Sequence, residues 1–210
     1  LFLLVFGGVS PAWGDTPKSR IMVTPNPDFQ VQVWVDRGEG AVYYPGEPIR
    51  IYYKATRDCY VYILNRDTSG NFKWLLPSVW WQDNYIKANR VYELPRGGYN
   101  LTVDGPYGTE ELYIFASTRD ISREMPYLED SVRSGNFAPR IQVQAEIFIK
   151  ELNARISVTP ANSWTSSSTY FYVGRKFSPP APPVIVEPIR EYGSLHISSY
   201  PSGALVFLDG

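Results

Sequence analysis

The chain has 210 residues and a formal net charge of −1, with 20 Lys and Arg against 21 Asp and Glu, 44% hydrophobic and 15% aromatic. Such a composition is globular, and it excludes both a wholly disordered chain and the protein-wide positive field that attracts nucleic acid. One Cys and one His, Cys59 and His196, exclude an intrachain disulfide, zinc sites built on Cys and His, and a His-based nucleophilic triad in the body of the chain.

Residues 1–14 open on Leu1-Phe2-Leu3-Leu4-Val5-Phe6 and reach Ala12 and Gly14, the small residues of an export cleavage site, before polar Asp15-Thr16-Pro17-Lys18. The pattern predicts a secretory signal peptide, N-terminally clipped because no Met or basic segment precedes it. A buried first strand fits Pro11 and the abrupt polarity change less well. The apolar run is shorter than the roughly 20 residues that cross a bilayer, and no Cys follows it for lipid attachment. The expectation is an exported protein, in the periplasm or at the cell surface, with no membrane span in the mature chain.

A polar lead, 15–30, gives way to alternation at Val31, Val33 and Val35, a strand with one apolar face. Short strands are then predicted at 41–44, 49–55, 59–64, 72–76, 90–94, 99–103 and 111–117, separated by Gly, Pro and Asp/Asn turns. Cys59 shares a face with Val61 and Ile63, which predicts a buried, inert thiol. Over 140–152, Ile141, Ala145, Phe148, Leu152 and Ile156 fit a helical stripe, while Ile141, Val143, Ala145, Ile147 and Ile149 alternate as a strand would; the Gln, Glu, Ala, Lys and Leu content favours the helix. Thr169–Val173 reads as a closing strand. The whole predicts a mainly β fold over 31–173, an antiparallel sandwich of immunoglobulin-like or Greek-key type, with one or two short helices in the C-terminal third.

A proline-rich linker, 174–192, follows. Residues 193–210 read as half a β-hairpin whose Ser199, Pro201, Gly203, Ala204, Val206, Asp209 and Gly210 resemble the start of a PEGA domain, a small β-module of bacterial envelope proteins. Its truncation suggests a longer protein. The fragment has too few apolar side chains to offset backbone ordering of about 1–2 kcal/mol per residue, so it is expected to pack poorly.

Within the main domain, Tyr43-Tyr44-Pro45-Gly46-Glu47-Pro48-Ile49-Arg50-Ile51, Tyr60–Asn65, Leu75-Leu76-Pro77, Asp83-Asn84 and Val103–Glu110 occur in an order that resembles the bacterial family called domain of unknown function 4384, over about 31–117 and extending as far as 173. Members of that family occur in exported envelope proteins and beside kinase or caspase-like domains. The resemblance implies an accessory module and supplies no catalytic residues. Read physically, Pro45-Gly46 and Gly105-Pro106 set turn dihedrals, Asp83-Asn84 bonds its own backbone, and Glu110 orients a loop or pairs with Arg90.

No phosphate-binding glycine loop is present, and the calcium-loop likeness of Asn65–Asn71 fails because Leu76 stands where a closing Glu is required. Glu110 and Glu111 point to opposite strand faces and cannot flank one bond. No cofactor or metal is expected. One speculative ligand surface remains: Trp74, Trp80, Trp81, Asp83, Asn84 and Tyr85, flat rings beside polar groups, as suits sugar or peptide recognition. The alternative is that the indoles are core. The sequence therefore predicts a non-catalytic exported envelope module with a structural, adhesive or scaffolding role, and an envelope glycan or protein as partner. Its alternatives are a carbohydrate- or peptidoglycan-binding module and an accessory domain of an envelope enzyme.

Overall fold

The computed structural model describes residues 21, 26, 28–175 and 207. The chain divides into two compact units, Leu1–Lys176 and Phe177–Gly210. The expected signal segment, most of the polar lead, nearly all of the linker and the PEGA-like hairpin lie outside the described residues; Phe207, the one described position of the hairpin, is exposed.

In the first unit the described residues form β1 (Val31–Val35), β2 (Val42–Tyr43), β3 (Ile51–Ala55), β4 (Cys59–Arg66), β5 (Phe72–Leu76), β6 (Tyr85–Ile86), β7 (Tyr92–Leu94), β8 (Gly108–Ser117), α1 (Leu128–Arg133), α2 (Ala145–Ser157) and β9 (Trp164–Val173). A three-stranded sheet, β1-β3-β7, faces a six-stranded sheet, β2-β9-β8-β4-β5, in which β6 also pairs with β4. The fold is a mainly β sandwich with short helices, as expected. All named strand pairs are antiparallel except β2 with β9.

The alternation in β1 works as the sequence suggests. Val31, Val33 and Val35 join Ile51, Tyr53 and Ala55 of β3, and across the gap they meet Cys59, Val61 and Ile63 of β4 and Leu112, Ile114 and Ala116 of β8. Burying each larger apolar side chain stabilises the fold by about 1.5–3 kcal/mol. The other faces of β4 and β8 are also buried. Tyr62, Leu64, Tyr113 and Phe115 build a second core with Phe72 and Trp74, under Leu128 of α1 and Phe148, Ile149, Leu152 and Ile156 of α2. Helices thus add a third layer to the two sheets.

The ambiguous segment resolves as helix, five residues later than predicted. Phe148, Leu152 and Ile156 are buried at helical spacing, whereas Ile147, which an alternating strand would turn inward, is half exposed. The closing strand begins five residues earlier than expected. Ser166-Ser167-Ser168 have poor strand propensity, yet each pairs with β8 in an unbroken ten-residue register. Residues 99–103 form only an isolated bridge, Pro48 with Thr102, although Leu101 O accepts from Ile49 N and Val103 N donates to Glu47 O, both at 2.9 Å. Gly46 has the positive φ expected of its turn, +86°. Gly105 does not; a Cβ there would lie 3.3 Å from Val173 Cγ1 and 3.5 Å from Pro45 Cγ, so what a side chain would meet there is close packing rather than a backbone restriction. Cys59 is fully buried, and burial pushes its thiol up to about 12.

Candidate functional site

The six residues of the speculative ligand surface fall in three different environments. Trp74 is fully buried in the core beneath the helices, where Nε1 donates to Pro126 O at 2.9 Å. Trp81 is buried at the inter-sheet core, on the other side of the six-stranded sheet. Asn84 is buried and stitched to β4: its Nδ2 donates to Val61 O at 3.0 Å, and its O accepts from Val61 N at 2.9 Å. Trp80, Asp83 and Tyr85 are exposed. Asp83 makes the expected local turn bond, accepting from Tyr85 N at 3.1 Å. Trp80 and Trp81 are not coplanar; their rings meet edge-on at 80°. Trp80 stacks instead on Phe137 (centroids 4.5 Å apart) and on Tyr99 (5.2 Å).

Trp80 and Phe137 form one wall of a recess of about 320 Å³ that enters the sandwich between its two sheets. Strand periodicity explains what lies inside. On β4 the odd residues Cys59, Val61 and Ile63 face the inter-sheet core, and Asn65 continues that row. On β8 the even residues Leu112, Ile114 and Ala116 face inward, and Glu110 continues theirs. Lys73 and Leu75 do the same from β5. The interior therefore turns from apolar to polar at this end, where Asn65, Lys73, Asp104 and Glu110 line the recess over a floor that includes Ile51, Leu112 and Phe171. Glu111, one residue on, faces the opposite way and pairs with Arg66 at 3.1 Å.

Glu110 and Asn65 are both more than nine-tenths buried, and Asn65 Nδ2 donates to Glu110 Oε2 at 2.9 Å and to Glu111 O at 3.5 Å. Glu110 does not pair with Arg90, whose guanidinium lies over the Tyr92 ring. Nor does it pair with Lys73, which leans towards Asp67 at 3.8 Å. Burial holds the Glu110 carboxyl above the usual carboxylate range; the bond from Asn65 and the charge of Lys73 work against that shift, while Asp67 and Asp104 reinforce it. The Asn65–Glu110 pair spans 45 residues of sequence and was not anticipated. A usable signal exists, because both residues end segments that carry the family resemblance.

Fold and recess together define a β-sandwich module whose core opens, at one end, onto a buried carboxylate–amide pair. Residues 42–120 match the model of the family described as Domain of unknown function (DUF4384), a stretch that runs from β2 past the end of β8 and contributes most of the recess. No curated protein and no solved structure matches the chain.

Proposed function

We propose that this chain is a non-catalytic module of an exported cell-envelope protein that holds an envelope component in the recess between its sheets. The observation that carries this reading is the Asn65–Glu110 pair, which sets an amide beside a carboxylate at the polar end of the inter-sheet core, facing a recess with an apolar floor, as a ligand-holding site does. The signal-like residues 1–14 support export. Among the described residues no helix is long and apolar enough to cross a membrane, and no group of three or more His, Cys, Asp or Glu is placed to hold a metal ion.

Two measurements test the reading. Residues 1–30 fused to a reporter active only outside the cytoplasm should give signal. The full chain should be retained on isolated envelope material, and Asn100→Trp, which fills the mouth of the recess from an exposed position, should release it. Retention unchanged in Asn100→Trp would refute the recess as the holding site.

A second reading, a carbohydrate- or peptidoglycan-binding module, is favoured by Trp80, which is 48% exposed and lines the same recess. Here the aromatic contribution would come from Trp80 with Tyr99 and Phe137, rather than from Trp74 or Trp81. Binding on a glycan array that is lost in Trp80→Ala would establish it.

A further inference from the structure

Glu110 is a largely buried carboxylate for which the described residues supply no ion-pair partner. Its Oε2 is taken by Asn65, and no donor among the described residues reaches its Oε1. The cations that could have served are engaged elsewhere, Arg66 with Glu111 and Lys73 with Asp67. Asn65 is in a similar state: both of its side-chain bonds to described residues are made through Nδ2, and its Oδ1 accepts none from them. The site thus presents two acceptor oxygens and no free donor between them. Among the described residues only Thr68 Oγ1 and Thr159 Oγ1 are sealed without a partner, so these two acceptors are reached from the recess, where water can satisfy them until a ligand donor takes its place.

The surrounding charge points the same way. Asp67 and Asp104 lie close enough to act on Glu110, against Lys73 alone. The apolar floor of Ile51, Leu112 and Phe171 and the rings of Trp80 and Phe137 suit a hydrocarbon chain and, at the rings, a cation. Inorganic cations fit poorly, since the donor set for a metal is absent among the described residues.

We infer that the recess receives an alkylammonium group, as a lysine side chain of a peptide presents it, with the methylenes against the apolar floor and the ammonium donating to Glu110 Oε1 and Asn65 Oδ1. This inference rests on the reading of the recess as a holding site and names what is held.

The test is a titration of the full chain at neutral pH and low salt, by calorimetry or by amide chemical shifts, with Nα-acetyl-lysine methylamide. The comparators are the norleucine analogue, which keeps the length without the charge, and the Nε-acetylated lysine analogue. The expected result is saturable binding of the lysine compound at least tenfold tighter than either comparator. Glu110→Gln should remove that preference while far-UV circular dichroism stays unchanged. Asn100→Trp should abolish binding, and Glu129→Gln, on the helical layer, should leave it intact. Equal binding of all three compounds, or full affinity in Glu110→Gln, overturns the inference. So does failure of the lysine compound to bind a chain that envelope material still retains through the recess, in which case the holding function stands with a different ligand. Failure of both the titration and the retention removes the two readings together.

Discussion

Replacing Trp74 by alanine separates a core indole from a ligand-binding one. Trp74 is fully buried, tilted against Phe115 (centroids 6.5 Å) and Phe148 (6.4 Å), and its Nε1 supplies a hydrogen bond to Pro126 O. Truncating a buried Trp to Ala costs about 3–5 kcal/mol, a large share of the roughly 5–15 kcal/mol that holds a typical domain folded. Trp74→Phe keeps an aromatic ring between Phe115 and Phe148 but leaves the Pro126 carbonyl unpaired, for a loss of about 1–3 kcal/mol plus the volume difference. The expected order of stability is wild type, Phe, then Ala. Urea unfolding of the full chain, followed by far-UV circular dichroism because removing an indole alters fluorescence, reads the midpoints directly. A Trp74→Ala chain that unfolds within about 1 kcal/mol of wild type, yet no longer stays on envelope material, would sink the core assignment.

Three further outcomes follow from the buried polar groups. Burial raises the folded-state pKa of Glu110, so the stabilisation from its protonated form is present in acid and is lost as pH rises from the ordinary glutamate range through the raised value; urea midpoints from pH 3.5 to 7.5 should show wild type losing ground to Glu110→Gln across about that window, and a Gln variant that is the weaker at neutral pH would show the carboxylate to be structural. Asp120 behaves with the opposite sign. Burial works against its ionisation, but bonds from Ser122 and Tyr62 (Tyr62 Oη to Oδ1, 2.7 Å) outweigh it and hold the carboxyl below its usual range, so its contribution is present above the ordinary aspartate range and fails as pH falls through the lowered value. Tyr62→Phe removes that bond and strands Ile121 N, which donates to Tyr62 Oη at 2.9 Å; a cost of about 1–3 kcal/mol is expected in urea melts, with a shallower acid transition. Cys59, buried and raised to about 12, should not react with an aromatic disulfide reagent until urea is added, and stoichiometric labelling of the native chain would contradict its placement.

What was legible in the sequence was whatever depends on local periodicity. The period-two face of Val31, Val33 and Val35, the row of Cys59, Val61 and Ile63, and the opposite facing of Glu110 and Glu111 all follow from strand geometry alone. Asp67 likewise closes its own loop, accepting from Ser69 N and Asn71 N, as its turn chemistry suggests. Tertiary pairing was not legible. Ser166-Ser167-Ser168 become strand because β8 offers a continuous ladder, and nothing local announces it. The same gap hid the candidate site. Trp74, Trp80 and Trp81 are neighbours in sequence, but strand pleat and loop path send two into different cores and leave one at a rim. Asn65 and Glu110, far apart in sequence, are brought together by the β4–β8 register.

The long pairing of β9 with β8 also bears on how the first unit would respond to tension. β9 ends at Val173, and the case of interest is a load applied at that end along the strand axis. All ten residue pairs of the β8–β9 ladder are then sheared at once instead of being unzipped in turn, and the parallel partner β2 adds two more on the opposite edge. A strand anchored on both sides in this way makes a mechanically robust point of attachment.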